Sequence, residues 1–116
     1  MILDDIKEKL NEIDPNVFYG AVNKRMQGET WDYIVFNRKV MRSNKDKTAF
    51  SDVYTVHIIR EEFIPEGTAE AVIEKMLEIA GMKLSGTDSE YDYTTKPKTD
   101  AVVEMLSIEF VRARKK

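Results

Sequence analysis

The chain has 116 residues, of which 42% are hydrophobic and 34% are charged, and its net charge at pH 7 is −3. This composition is typical of a soluble globular protein with a heavily charged surface, and the length fits one domain over residues 1–116. The sequence contains no cysteine, which excludes disulfides and thiolate metal sites, and no apolar run approaches the roughly 18 residues of a membrane span.

The first predicted element is an amphipathic helix over residues 2–13. Its apolar residues recur at the spacing of one helical face: Ile2, Leu3, Ile6, Leu10 and Ile13. Pro15 ends the helix, because a proline disfavours helical geometry in the residue before it. The first five residues lack the basic and apolar regions of a signal peptide, so we expect none.

Three strands are predicted next, over residues 17–22, 31–41 and 50–63. The second strand places Trp31, Tyr33 and Val35 on one face. Residues 42–48 contain no large apolar side chain and are predicted to form a mobile hairpin tip. Two long strands joined by a polar loop indicate a hairpin that projects past the sheet.

The second half of the chain predicts one helix and two strands. The helix is expected to be capped by the hydroxyl of Thr68, to run to Ala80 and to end at a left-handed Gly81. The strands are predicted over residues 90–95 and 101–112. Side chains expected to face the core are Ala69, Val72, Ile73, Met76, Leu77, Ala80, Leu106, Ile108 and Phe110. Together the elements predict an α+β fold, in which a mixed or antiparallel sheet of about four to five strands packs against two helices and carries a long projecting hairpin.

Catalytic chemistry has little support in the sequence. His57 is the single histidine, and no serine or cysteine nucleophile lies near it along the chain, so it is expected to pack on a half-exposed sheet face. The acidic residues are spread over helices and loops and single out no acid–base pair. We therefore expect no enzymatic activity, no catalytic residues and no cofactor.

Two segments resemble ligand-binding motifs but lack residues that those motifs need. Residues 81–86 have the glycine spacing of a phosphate-binding loop, but Thr87 stands where lysine belongs and Asp88 where serine or threonine belongs. Asp88, Glu90 and Asp92 alternate like the start of a calcium loop, but the glycine and glutamate that such a loop needs further on are missing. We interpret the acidic run as a polar strand edge, with a weak metal site as the alternative.

Basic side chains concentrate around the hairpin. The candidate interface or DNA-channel residues are Arg38, Lys39, Arg42, Lys45 and Lys47. Nucleic-acid-binding domains usually combine such a patch with a strongly basic overall charge, whereas this chain has a pI of about 5.3. Three interpretations stay open: a solvated loop, a protein interface and a contact with DNA.

The order of the elements resembles the tail terminator family of long-tailed bacteriophages, whose members are also called tail-completion, minor tail or head–tail joining proteins. The matching features are an N-terminal helix before Val17-Phe18-Tyr19, a long hairpin ending in Phe63-Ile64-Pro65, one helix over residues 68–80, and Tyr91-Asp92-Tyr93 before a terminal strand. The resemblance covers nearly the whole chain. The basic hairpin loop and the basic tail over residues 112–116 are features that the family does not require.

The resemblance implies a structural protein without catalysis, small-molecule substrate or membrane contact. Subunits of the family form a ring, typically a hexamer, that caps the finished tail tube, ends its polymerisation and joins it to the head connector or stopper protein. The implied partners are further copies of the chain, the tail tube protein, the head connector and DNA passing through the channel. The implied location is the tail–head junction of the virion, after a period in the bacterial cytoplasm. The alternative, from another class, is a small nucleic-acid-binding or regulatory α+β module that uses the basic hairpin loop.

Overall fold

The structure is a computed structural model that describes residues 1–21, 31–43 and 49–115. Within these ranges it contains two helices and six strands: α1 Ile2–Asn11, β1 Val17–Tyr19, β2 Tyr33–Ser43, β3 Ala49–Glu61, α2 Thr68–Leu77, β4 Met82–Leu84, β5 Glu90–Thr95 and β6 Val102–Lys115. The predicted α+β class is confirmed, with a sheet slightly larger than the expected four to five strands.

The strands form one mixed sheet in the order β1-β2-β3-β6, and both β4 and β5 pair with the far side of β6. The pairing of β1 with β2 is parallel, and the other pairings described are antiparallel. The β2–β3 hairpin is longer than predicted, because Arg42 and Ser43 still pair with Ser51 and Phe50. Backbone pairing needs no apolar side chains, so the polar sequence there does not end the strand. The rest of the predicted tip, residues 44–48, lies outside the described residues.

Both helices pack against one face of the sheet. Alternate residues of the three central strands meet one stripe of each helix, as periods of 2.0 and 3.6 residues require. The main core residues are Ile34, Phe36, Tyr54, Val56, Ile58, Leu106, Ile108 and Phe110 from the sheet, with Ile6, Leu10, Val72 and Met76 from the helices. The predicted inward positions in β6 are therefore confirmed. Leu77 and Ala80 were expected inward but are exposed, and Ile79 is buried instead, because the helix ends at Leu77 and the chain turns towards β4.

The ends of α2 differ from the prediction. Thr68 is the first helical residue and does not cap the helix; Gly67 takes the N-cap position with a left-handed φ of 92°. The C-cap is Glu78, while Gly81 adopts its positive φ of 81° in the turn that leads into β4. The sequence did not predict β4, because a three-residue strand that pairs with one end of β6 has no periodicity of its own.

The opposite face of the sheet carries a second apolar cluster to which neither helix contributes. Its buried members are Tyr33, Val35, Ile59 and Val103, with Phe18, Trp31 and Met105 packed against them. The prediction that Trp31, Tyr33 and Val35 share a face is confirmed. We call the two sides of the sheet the helix face and the second face.

The long strands extend past the helices at one end of the molecule. β3 and β6 pair continuously, from Glu61 opposite Val103 to Ala49 opposite Lys115, and the molecule measures 52 × 27 × 24 Å. We call the part formed by residues 39–43, 49–53 and 111–115 the projecting end. β5 pairs with residues 102–107 of β6, and α2 begins just after β3 ends, so both lie towards the opposite end.

Candidate functional site

The basic residues predicted around the hairpin do not form one surface. Arg38 points to the helix face, where its Nε donates a hydrogen bond to Tyr19 Oη over 3.2 Å. Lys39 pairs with Glu109, which lies on the second face. Adjacent residues of a strand point to opposite faces, which separates Arg38 from Lys39. The β-bulge between Arg38 and Val40 shifts the alternation that follows it, so Arg42 lies on the face of Lys39 and not on the face of Arg38.

The remaining predicted basic residues are only partly described. Arg42 lies opposite Ser51, in the row of side chains on the second face. Lys45 and Lys47 fall in the 44–48 segment, which lies outside the described residues. Of the predicted set, the structure therefore brings Lys39 and Arg42 to one face and Arg38 to the other.

Two basic residues that were not included in the predicted set lie beside Arg38. A groove of about 470 Å³ opens on the helix face where the sheet extends past α1. Its lining includes the basic residues Arg38, Lys39, Arg112 and Arg114, the acid Asp52, and the first residues of α1, Met1 and Ile2. We call it the arginine groove. The sequence indicates this groove in part, because Arg112 and Arg114 are two residues apart in a strand and their side chains therefore point to the same face.

Each arginine of the groove is held through its Nε atom. Arg112 Nε donates to the carbonyl oxygen of Ala80 over 3.1 Å. Arg114 Nε donates to Asp52 Oδ2 over 2.6 Å, and its guanidinium lies 5.2 Å from the centre of the Phe50 ring. Arg38 is held by Tyr19 as described above. The terminal Nη groups of Arg38 and Arg112 have no partner among the described residues, so these two cations remain available to an anion.

Two exposed carboxylates on α2 lack a cation. Glu70 and Glu74 are one helical turn apart and exposed, and no ion pair joins either of them to a described residue. The nearby acids differ, because four ion pairs of 2.8 to 4.0 Å link Lys9 and Lys75 to Glu12 and Glu78. Hydrogen bonding to Lys9 accordingly lowers the pKa of Glu78. The outer side of α2 therefore carries a negative pair that no cation of the described residues compensates.

In the part of the chain that the structure describes, each side of the sheet has a strand edge that no other strand covers. β1 pairs only with residues 34–36 of β2, so no described strand covers residues 37–43 from that side. On the other side β5 is exposed along its whole length. Both edges carry large apolar side chains in solvent: Met41 is 59% exposed, and Tyr91 and Tyr93 are 57% and 60% exposed.

A polar row crosses three strands on the second face. His57 Nδ1 lies 2.7 Å from Ser107 Oγ, and His57 Nε2 lies 3.1 Å from Asn37 Oδ1. Asn37 Nδ2 donates to the carbonyl oxygen of Arg38, which directs Oδ1 to the imidazole. Nε2 therefore carries the proton, and Nδ1 accepts the hydroxyl of Ser107. Strand register, not sequence proximity, brings these groups together.

This row has the order of a nucleophile, a base and an orienting group. Burial lowers the pKa of His57, so the ring is neutral near pH 7 and can accept the Ser107 proton. An acyl-transfer site also needs backbone N–H groups aimed at a developing oxyanion. Strands β3 and β5 flank β6 at Ser107 and take its neighbouring N–H groups into their ladders. The geometry is that of a hydrogen-bonded link across the sheet.

The acidic residues around β5 form no metal site in the part of the chain that the structure describes, where no group of three or more His, Cys, Asp or Glu side chains could hold an ion. Glu109 is engaged with Lys39 and Thr87, whose hydrogen bonds lower its pKa. No helix within the described ranges has the length and hydropathy needed to cross a membrane. The described residues offer the arginine groove, the acidic side of α2 and the two sheet edges as surfaces for a partner.

Compared with known proteins, the chain matches no family model and no curated protein. What it binds must therefore be inferred from its own surfaces and from the order of its elements. The surfaces fall at different places on the molecule: the arginine groove and the free part of β2 lie at the projecting end, whereas β5 and the start of α2 lie at the other end.

Proposed function

We propose that the chain is a non-catalytic structural subunit that assembles head to tail with copies of itself, as its resemblance to the tail terminators of long-tailed bacteriophages implies. In that function a ring of subunits caps the completed tail tube at the tail–head junction of the virion, ends tube polymerisation and joins the tail to the head connector. The observation that most supports self-assembly is that, among residues 1–21, 31–43 and 49–115, both sides of one sheet end in strand edges that no other strand covers.

An uncovered strand edge presents backbone groups that can pair with another chain. Residues 37–43 of β2 and the whole of β5 are two such edges, and they differ in sequence. A contact between one edge of a subunit and the other edge of the next is heterologous. Such a contact closes into a ring when its rotation fits, and continues as a filament when it does not.

The two edges are displaced along the strand direction. Residues 37–43 of β2, the free part of that strand, are level with residues 109–114 of β6, with β3 between them. β5 pairs with residues 102–107 of β6. The displacement is seven residues of β6, or about 23 Å at the rise of a strand. Neighbouring subunits joined edge to edge are therefore staggered, and each projecting end lies beside the opposite end of its neighbour.

The basic hairpin is assigned to the partners outside the ring. Arg42 lies at the projecting end on the second face, away from the helices, and Lys45 and Lys47 follow it in sequence. In the proposed ring Arg42 faces the DNA channel or the head connector. The lysines that follow it add two positive charges to the same stretch of sequence. Their charge suits phosphate groups, which bind lysine and arginine without sequence preference.

The first test is whether the purified chain self-associates. Light scattering and sedimentation velocity, measured across protein concentration and salt, should show a closed oligomer, and electron microscopy should show the protein at one end of purified tail tubes. A chain that stays monomeric at high concentration and does not bind tail tubes would sink the proposal.

A proline at Met41 tests the β2 edge. The N–H of Ile34 and the carbonyl oxygen of Phe36 form hydrogen bonds on the β1 side of β2, away from β3. Both residues pair with even-numbered residues of β3. Met41 lies opposite Asp52, so its N–H also points away from β3 by the alternation of antiparallel pairs. Met41→Pro should abolish association, because proline has no backbone N–H to donate to a neighbouring strand. The fold should survive, since edge strands tolerate proline. Met41→Ala, which keeps the N–H, should retain most of the association.

A further inference from the structure

We infer that the arginine groove of one subunit binds the carboxylates of Glu70 and Glu74 on α2 of the next subunit. This inference rests on the proposed self-assembly and names the charged surfaces that meet in it. The ligand is a pair of carboxylates on a helix, and the partner is a second copy of this chain.

The groove is preorganised for two carboxylates. Asp52 is committed to Arg114, so Arg38 and Arg112 are not neutralised by the acid that lines the groove. Both guanidinium groups are held by Nε and present their Nη atoms, the side that forms paired hydrogen bonds with a carboxylate. They project from β2 and β6, two strand spacings or about 10 Å apart.

The acidic pair on α2 is suited to such a groove. Glu70 and Glu74 stand at i and i+4, where like charges repel each other and no described cation relieves them. Their Cβ atoms are about 6 Å apart, and glutamate side chains are long enough to spread towards two guanidinium groups. Binding would replace a repulsion by two charge-assisted contacts.

A subunit cannot make this contact with itself. α2 follows the end of β3 that pairs with Val103, which is far from the groove. The chain first contacts Arg112 at Ala80, after α2 has ended. Glu70 and Glu74 are therefore on the part of the helix that lies farther from the arginine groove. The contact must be made between copies.

The stagger of the proposed sheet contact brings the two surfaces together. The groove lies at the same end as the free part of β2, and the first turns of α2 lie at the same end as β5. When β2 of one subunit pairs with β5 of the next, the start of the neighbour's α2 comes beside the groove. Both surfaces are on the helix face, so one docking geometry satisfies the strand edges and the charges.

Nucleic acid is the other polyanion that guanidinium groups recognise. Single-strand-binding surfaces combine a continuous basic track with stacking aromatic residues. The groove contains an acid, its aromatic member Tyr54 is buried, and the chain carries a net charge of −3. These features favour a carboxylate pair on a protein.

Charge reversal tests the contact in both directions. We would make a groove variant, Arg38→Glu with Arg112→Glu, and a helix variant, Glu70→Lys with Glu74→Lys. Each alone should raise the concentration needed for self-association about tenfold or more, because like charges then face each other. An equimolar mixture of the two should associate again, and so should a single chain carrying all four substitutions.

Two controls separate this contact from general charge effects and from unfolding. Glu8→Lys with Asn11→Lys changes the net charge by +3, against +4 for the helix variant, on an exposed part of α1 away from the residues that line the groove, and should leave association unchanged. Circular dichroism and thermal unfolding should show that every variant is folded. Recovery of association in the mixture is itself evidence that both variants are folded.

The outcomes distinguish the two proposals. A wild-type chain that stays monomeric overturns self-assembly and this contact together. A wild-type chain that associates, with both reversed variants associating equally well or with no recovery in the mixture, overturns the contact and leaves the proposed function standing. Binding of a single-stranded oligonucleotide that the groove variant loses, with association unchanged by the helix variant, would assign the groove to nucleic acid instead.

Discussion

Arg60 in β3 and Asp14 after α1 form a largely buried ion pair, with 2.8 Å between Arg60 Nη2 and Asp14 Oδ2. The side chains are only 14% and 5% exposed. Asp14 Oδ1 also accepts the backbone N–H of Asn16 over 2.8 Å, and Arg60 donates to the carbonyl oxygen of Ile59. The pair therefore ties the turn between α1 and β1 to the end of the central strand β3.

Replacing Asp14 by alanine should destabilise the fold substantially. The substitution leaves Arg60 covered without its counter-ion and removes the acceptor for the Asn16 N–H. Breaking one side of a buried pair costs about 3 kcal/mol. Urea unfolding followed by the fluorescence of Trp31, the single tryptophan, measures the change in the free energy of unfolding.

An exposed ion pair provides the matched control for Asp14. Lys75 bonds to Glu12 over 3.1 Å at the outer side of the two helices, and hydrogen bonding to Glu12 raises the pKa of Lys75. Lys75→Ala should cost much less than Asp14→Ala, because solvent and salt screen exposed pairs. Equal losses in the two variants would show that burial does not set the strength of the Asp14 pair.

The left-handed backbone at the start of α2 gives a second prediction. Gly67 has a φ of 92°, and an added Cβ would meet only Glu70 Oε2 at 3.9 Å. Gly67→Ala should therefore cost about 1 kcal/mol through backbone strain, with no steric clash. Gly86 has no positive φ and open space around an added Cβ, so Gly86→Ala should be neutral or slightly stabilising. Thermal unfolding compares the two, and a larger loss at Gly86 would contradict this account.

The parts of the fold that depend on local periodicity could be predicted from the sequence. The alternation in β6 identified Leu106, Ile108 and Phe110 as core residues, and the helical spacing in α1 identified Ile6 and Leu10. These patterns are strong because each element buries one side along most of its length.

The parts that depend on pairing could not be predicted in the same way. β4 is defined by its partner β6, and the hydrogen bond between His57 and Ser107 depends on the register of two strands fifty residues apart. The bulge that places Arg42 on the opposite face from Arg38 has no glycine or proline to mark it. The basic residues around the hairpin therefore lie on two faces of the sheet, although they are close in sequence. Only the spacing of Arg112 and Arg114 indicated the arginine groove.

Phe110 and Leu84 form a matched pair for testing the core. They are partners across β4 and β6, but Phe110 is fully buried and Leu84 is 46% exposed. Phe110→Ala should cost about 4 kcal/mol, because it removes a large buried side chain and leaves a cavity. Leu84→Ala should cost less than about 1 kcal/mol. Chemical denaturation of the two variants measures the difference, and a similar loss in both would mean that Leu84 is covered in solution.

The polar row of Asn37, His57 and Ser107 predicts a pH dependence of stability. Burial lowers the pKa of His57 in the folded chain, whereas in the unfolded chain it is about 6.5. Below that pH the unfolded chain binds a proton that the folded chain does not yet accept. The free energy of unfolding should therefore fall as the pH drops through about 6.5, by less than about 1.4 kcal/mol per pH unit for one group, until the folded pKa is reached.

The single histidine makes this prediction direct to measure. The ring proton signals of His57 followed by NMR across pH should give a folded-state pKa below 6.5. His57→Gln should remove the loss of stability between about pH 7 and pH 5, a window that lies above the ordinary carboxyl pKa values of about 4. A folded pKa at or above 6.5, or an unchanged pH dependence in the glutamine variant, would show that the imidazole is not shielded from water as the row implies. The neutral ring is what allows Nδ1 to accept the Ser107 hydroxyl, so the same titration tests whether that hydrogen bond persists at physiological pH.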